Sequence, residues 1–425
     1  MSLLTALKSY LRIRTLPYRM PDRAHLLAWQ SAKLSAWLQN DVPKVAAFSA
    51  RAGRKTVIDD LSIMDKSKLM ADFSRFNVPA ITNAQGWRAF EGEKRIGDYI
   101  VGASTGTSGN RGLFVISQAE RFAWLGAMLA KALPDFWRHR DRVAVLLPID
   151  TPLYDSANRT RNLTLQFFNL STPLEEFSAA LSAFDPTIVI APPRILSRLA
   201  GMPGRLSPRR VFSAAEKLEA ADRLIIEAGF GLRLGEIYMA TEGLLGVTCA
   251  HGRLHLAEDC MHFAFEEAGN GLVRPILSDF SRSTQIMARY RLNDLLRLDD
   301  RTCPCGSPLQ VVREIVGRED DVFLLSSPNG GIVELTPDIL RNVIVDTDRG
   351  IMDFALVQTD AAALELQLPA DCPAPVRRAV RANLTAVLES HGVSPDCHVE
   401  SVDLAIHSKG KLRRIRRAWQ STGGQ

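Results

Sequence analysis

The stretch Val101-Gly-Ala-Ser-Thr-Gly-Thr-Ser-Gly-Asn-Arg-Gly112 constrains this chain more than any other. Four glycines and four hydroxyl residues share twelve positions. Glycine permits positive φ and close backbone approach. Successive N–H groups in such turns form a concavity for anions. Ser104, Thr105, Thr107 and Ser108 add neutral donors around it. A short apolar piece, Leu113 to Ile116, and a predicted helix from Ala119 to Leu133 follow. The pattern points to a phosphate chain as ligand. A P-loop needs Gly-Lys-Ser/Thr at its end, and here Gly109 is followed by Asn110 and Arg111. The glycine spacing also misses the dinucleotide fingerprint.

A chain of 425 residues has room for a main domain and a smaller one. With 46% hydrophobic and 23% charged residues, it reads as globular. No apolar run approaches the roughly 20 residues that span a bilayer. The N-terminal Met1 to Lys8 lacks a signal-peptide profile, so a cytoplasmic location is expected. The net charge of +5 is mild, but basic residues concentrate in Ser408-Lys-Gly-Lys-Leu-Arg-Arg-Ile-Arg-Arg417. Such a cluster suits a solvated tail, a catalytic lysine in an electropositive end, or an acidic partner. No aromatic-interleaved basic platform supports nucleic-acid binding.

Residues 1–100 read as mostly helical, with a packed helix over His25 to Gln39 and a capped helix start near Lys66. Arg142 to Pro148, Thr164 to Leu170 and Thr187 to Pro193 are compact apolar runs, the mark of buried strands. A helix over Pro173 to Ala183 separates two of them. Strand–helix alternation predicts an α/β domain with largely parallel order. Ligands in such folds sit at the carboxyl ends of strands, which directs attention to Arg210–Lys217 and Leu234–Gly243. Beyond Ile315 the pattern shifts. Strand-like runs at Val322–Leu325, Phe354–Val357 and Leu364–Leu368 surround a helix over Ala374–Ser390, a small α+β module.

Six ordered motifs resemble the adenylate-forming acyl ligases, in their phenylacetate–CoA ligase-like branch. They are the Ser104–Gly109 loop, Ala214-Ala215-Glu216, Tyr238-Met-Ala-Thr-Glu242, Tyr290-Arg-Leu-Asn-Asp294, Gly317-Arg-Glu-Asp-Asp321 and Ser408-Lys-Gly-Lys411. The resemblance covers about residues 60 to 417. It implies an α/β fold: a large N-terminal adenylate-forming domain, residues 1–316, with mixed and parallel sheets, and a small mobile C-terminal α+β lid, residues 317–425. It implies attack of a carboxylate on the α-phosphate of ATP, then acyl transfer to a thiol, either CoA or the phosphopantetheine of an acidic acyl carrier protein. The branch favours aromatic acids. The alternative is a nucleotide-binding scaffold of the same fold that has lost ligase activity.

The roles the resemblance implies have physical reasons. The Ser104, Thr105, Gly106, Thr107, Ser108, Gly109 loop holds phosphates, and Ala214, Ala215, Glu216 and Tyr238 form the adenine turn and wall. Glu242 binds Mg²⁺, a hard cation that prefers carboxylate, and Thr241 touches the α-phosphate or the adenine edge. Asp294 accepts from the ribose hydroxyls. Arg318 lies near the ribose or phosphate, Asp320 is the hinge, and Lys411 stabilises charge developing between carboxylate and phosphate. Phe167, Phe168 and Phe212 are candidates for the acid pocket. The chain departs from the family at Asn110-Arg111, where the loop usually ends in Gly-Lys, at Met239, at Asn293, and over Leu325–Gly331.

Some members of the branch carry a Cys, a His and a later Cys-x-Cys-Gly that resemble a structural zinc site. Cys249, His255, Cys303 and Cys305 follow that order, and three thiolates with an imidazole suit tetrahedral zinc. His251, Cys260 and His262 are rival ligands, and reduced cysteines without metal remain the alternative.

Overall fold

The computed structural model describes residues 2–104, 111–147, 162–202, 206–348, 351, 353–402 and 413–419. The chain opens with two long helices, Ser2–Arg19 and Arg23–Asn40. Asp22 caps the second, accepting from the His25 N–H at 3.0 Å. The first helix lays Ala6, Tyr10 and Ile13 onto the helix Gln118–Ala132. The two backbones nearly touch at Gly126, where a Cβ would sit 2.2 Å from the Ala6 carbonyl. Ser9 donates to the Ala123 carbonyl at 2.8 Å, and Tyr10 to that of Pro134 at 2.7 Å. Ser117 and Glu120 form a capping box at the start of Gln118–Ala132, which fixes that helix directly behind the glycine-rich loop.

Among the described residues the main sheet has 12 strands. In spatial order they are His262–Glu267, Val273–Ser278, Asp294–Asp299, Val311–Arg318, Leu254–Leu256, Gly243–Thr248, Gly235–Ala240, Arg210–Ala214, Ile188–Ala191, Asp141–Leu147 and Leu163–Asn169. Tyr290–Arg291 pairs with the second of these. The run from Leu163–Asn169 to Gly235–Ala240 is parallel. The remainder is antiparallel. The expected largely parallel order therefore holds for one half only. The other half mixes hairpins, such as His262–Glu267 with Val273–Ser278, with pairings between strands distant in sequence, such as Leu254–Leu256 with Val311–Arg318. A separate three-stranded sheet, Arg95–Ile96, Tyr99–Ala103 and Leu113–Ile116, carries the glycine-rich loop between its last two strands.

Residues after Arg318 build their own core around Phe323, Leu340, Phe354, Leu366 and Leu384. Its sheet runs Asp396–Val402, Ala363–Pro369, Ala355–Asp360 and Ile415–Arg417. The helices Pro337–Thr347 and Ala374–Ser390 belong to the same unit. Ion pairs join it to the main sheet. Arg414 reaches Asp222 at 2.9 Å, and Arg341 reaches Glu219 at 2.8 Å. Three arginines of the basic C-terminal cluster turn inward: Arg414 as above, Arg413 in a pair with Asp321, and Arg417 as donor to the Asp320 carbonyl. Residues 408–412 of the cluster lie outside the described residues.

Candidate active site

A cavity of about 800 Å³ opens where the parallel strands end and the second unit begins. Its walls come from four separate turns. Arg210–Ala214 ends in Ala215, held at φ +70°, which swings Glu216 into the cavity wall beside Arg194, 3.6 Å away. A non-glycine residue at positive φ is costly and marks a turn the surroundings impose. Gly235–Ala240 delivers Tyr238, Thr241 and Glu242, and Asp294–Asp299 begins at Asp294. Val311–Arg318 leads into Arg318, which pairs with Asp320 at 3.1 Å.

Two buried phenols organise two carboxylates. Tyr290 donates to Glu242 Oε1 at 2.8 Å, and Tyr238 donates to Asp294 Oδ2 at 2.5 Å. Burial pushes both phenols well above the ordinary tyrosine range, and the adjoining carboxylates push the same way. Both tyrosines therefore remain donors at any physiological pH. Glu242 is 8% exposed, and among the described residues no cation lies within ion-pair distance of it. A buried carboxylate with one neutral donor and no counter-ion suits a hard divalent cation.

The glycine-rich loop closes at its neck. Ser104 N–H donates to the Gly112 carbonyl at 2.8 Å, and Gly112 N–H donates back to Ser104 Oγ at 2.7 Å. Thr105, Gly106, Thr107, Ser108 and Gly109 lie outside the described residues, as does Lys411. Arg111, which stands near the place of the usual loop lysine, lies over the rings of Trp87 and Phe90, 4.8 and 5.4 Å from their centres. Lys66, which the sequence reading used only as a helix start, lines the cavity and packs against Gly112, with Cε 3.4 Å from where a Cβ would stand. Its signal was faint, because one lysine near a helix start is common. Asn293 was noted only as a departure, yet its amide donates to Asp320 Oδ1 at 2.9 Å and its carbonyl accepts from the Glu319 N–H at 2.7 Å. That links the strand carrying Asp294 to the turn that begins the second unit.

No family model matches this sequence, and no curated protein does. Solved structures do match. A 2-hydroxyisobutyryl-CoA ligase in the postadenylation state with 2-HIB-AMP aligns at TM-score 0.67 and 16% identity, over 93% of this chain and 89% of that one. The same ligase with 2-HIB-AMP and CoA in the thioesterification state aligns at 0.54 and 16%, over 96% and 92%. A structure of the fatty acyl-adenylate ligases of E. coli and L. pneumophila aligns at 0.52 and 14%, over 74% and 68%. The fold is that of the adenylate-forming ligases.

Within the adenylate-forming fold a second, smaller cavity of about 240 Å³ adjoins the first. Ser104, Ala215, Met239, Ala240 and Thr241 line both. Phe114, Ile116, Trp124, Met128, Val145 and Leu147 make its walls apolar. Phe167, Phe168 and Phe212, expected in an acid pocket, are not among its described lining residues. Phe168 packs with Phe177 at 5.6 Å between ring centres, and Phe212 fills the space above Gly235. Phe212 lies on a central parallel strand and Phe167 and Phe168 on the edge strand Leu163–Asn169, and apolarity alone could not say which face of a strand meets a ligand.

Cys249, His255, Cys303 and Cys305 come together, with their ligand atoms all within 4.8 Å of one another. Cys249 and Cys303 sulfurs are 3.6 Å apart, and Cys305 sulfur is 3.4 Å from His255 Nε2. Tetrahedral zinc with Zn–S near 2.3 Å sets ligand atoms roughly 3.5 to 3.8 Å apart, so the donors fit that ion. The His255 Nδ1 is 3.0 Å from the Leu309 carbonyl, which fixes Nδ1 as the protonated nitrogen and leaves Nε2 facing the sulfurs. The rivals lie elsewhere: Cys260 is buried in the core, its thiol pushed up to about 12 by burial, and neither His251 nor His262 joins the cluster. Among the described residues no helix is long and apolar enough to cross a membrane.

Proposed function

We propose that this chain activates a carboxylic acid with ATP as an acyl-adenylate and transfers the acyl group to a thiol. The observation that carries the reading is the pair of phenol-held carboxylates, Glu242 and Asp294, on one cavity wall beside the neck of the glycine-rich loop. ATP occupies the larger cavity and the acid's body the smaller. Their shared wall, Ser104, Ala215 and Thr241, is where carboxylate and α-phosphate meet. The adenine lies against Ala214, Ala215, Glu216 and Tyr238, and Asp294 accepts from the ribose hydroxyls. Arg318 stands near the ribose or phosphate.

In the first step a carboxylate oxygen attacks the α-phosphorus, the bond to the β-phosphate oxygen breaks, and pyrophosphate leaves. Glu242 would hold Mg²⁺, which when bound neutralises phosphate charge. The loop's N–H and hydroxyl groups orient the phosphate chain, and Lys411 stabilises the charge gathering between acid and α-phosphate. In the second step a thiolate attacks the acyl carbon, the carbon–oxygen bond to phosphate breaks, and AMP leaves. Residues 1–316 bind ATP and acid, and residues 317–425 form the lid that turns about Asp320. The Cys249, His255, Cys303 and Cys305 cluster holds zinc in a structural role, because all four positions are protein ligands. An aromatic acid is the first choice, with CoA or an acyl carrier protein as acceptor in the cytoplasm.

Isotope exchange between pyrophosphate and ATP, run with a panel of aryl and aliphatic acids, tests this. Acid-dependent exchange supports it. ATP binding without exchange on any acid supports instead the scaffold reading, in which the fold binds nucleotide but no longer ligates.

A further inference from the structure

The smaller cavity has a largely apolar wall with a few charged residues set into it. Ser9, Arg12 and Cys260 line the smaller cavity and not the larger. Ser9 and Arg12 come from the first helix, which Gly126 allows to sit hard against the helix behind the glycine-rich loop. Arg12 lines this cavity together with Cys260 and is half-buried, one residue before Ile13 on the side of the first helix that packs onto Gln118–Ala132.

The charges around it do not cancel. Arg12, Lys94 and Arg282 line the cavity as cations, Glu120 and Asp279 as anions. Both anions are already held. Glu120 accepts from Ser283 N–H at 2.7 Å, Thr284 N–H at 2.8 Å and Ser117 N–H at 2.7 Å. Asp279 accepts from Ser281 at 2.6 Å and pairs with Arg282 at 3.2 Å. The nearby Asp259 pairs with Lys131 at 2.6 Å, and Glu258 with Arg23. Among the described residues no carboxylate lies within ion-pair distance of Arg12, which is half-buried. A half-buried guanidinium on an apolar cavity wall, with no carboxylate beside it, has donors to offer a ligand, and a carboxylate matches its fork.

We infer that the acid this chain activates is a small dicarboxylic acid with an apolar body. One carboxylate reaches the shared wall to be adenylated, and the second meets Arg12. At about 240 Å³ the cavity is smaller than the roughly 300–1,000 Å³ of most small-molecule pockets, which suits a single ring or a short chain rather than a long acyl tail. This inference rests on the acid-activating reading and narrows it.

The test uses matched pairs in the pyrophosphate exchange assay: benzene-1,4-dicarboxylate against 4-methylbenzoate, and octanedioate against octanoate. The expected result is kcat/KM about tenfold or more higher for a diacid than for its partner, the scale of one charge-assisted hydrogen bond. Arg12→Leu should remove that preference while keeping exchange with the monoacid, which also reports that the variant folds. Arg12→Lys should keep part of it. Equal or better use of the monoacids by the wild-type chain, or an Arg12→Leu variant that still prefers the diacid, overturns the inference and leaves the acid-activating reading standing. Absence of exchange with every acid counts against that reading instead. Calorimetric binding of benzene-1,4-dicarboxylate to wild type and to Arg12→Leu then decides the inference separately: binding lost in the variant supports it, and equal binding or none overturns it.

Discussion

Replacing Tyr290 with Phe isolates one bond. The ring is 2% exposed, so Phe keeps its packing and only the hydroxyl is lost. That hydroxyl donates to Glu242 at 2.8 Å. A hydrogen bond to a charged group is worth about 1.5–3 kcal/mol, or roughly ten- to hundredfold in an equilibrium or rate. Without its donor, the buried Glu242 carboxylate is free to rotate. The assay is acid-dependent exchange titrated with Mg²⁺. Tyr290→Phe should raise the Mg²⁺ concentration for half-maximal rate by about tenfold or more. KM for the acid should change little. Unchanged Mg²⁺ dependence with normal folding would refute the argument that this phenol positions a metal-binding carboxylate.

Tyr238→Phe should act on the other carboxylate, weakening ATP binding by about tenfold with little effect on Mg²⁺ dependence, as read by nucleotide titration. Metal analysis of protein purified without chelator should find about one zinc per chain, and Cys305→Ser should lower both zinc content and thermal midpoint. Zinc-free wild-type protein of full stability would contradict the structural role. Glu120 carries a pH prediction. Burial acts to raise its pKa, but hydrogen bonds from Thr284, Ser117 and Ser283 outweigh burial and hold it below the ordinary 4.5. Its contribution to stability is therefore present above that value and is lost as pH falls below it. Denaturant titrations from pH 6 to 3 should show a shallower acid loss for Glu120→Gln than for wild type.

Much of the fold was legible because local chemistry and tertiary packing agree. Ala374–Ser390 is a helix over the expected span, and Leu113–Ile116 is a strand. The helix expected from Ala119 begins at Gln118 because Ser117 caps it. The antiparallel half of the main sheet was not legible, since its neighbours, such as Leu254–Leu256 beside Val311–Arg318, are far apart in sequence and their pairing leaves no local mark. At the site, residue types announced themselves while partners did not. Glu242 and Asp294 stood out as acids in ordered motifs, but nothing local says that Tyr290 serves the first and Tyr238 the second. Arg12 carried no motif at all. Its place depends on the first helix lying against Gly126, more than a hundred residues away. Likewise the basic run at Arg413–Arg417 read as exposed, because the acids that receive it, Asp222 and Asp321, are distant in the chain.

Direct capture of the intermediate tests the central claim. Purified protein is incubated with ATP, Mg²⁺ and an accepted acid without any thiol, then quenched and analysed by mass spectrometry for acyl-AMP. The account predicts acyl-AMP and pyrophosphate in equal amounts, both abolished by Lys411→Ala and sharply reduced by Glu242→Gln. Pyrophosphate release without acyl-AMP, or an acyl-phosphate with ADP in its place, would contradict it.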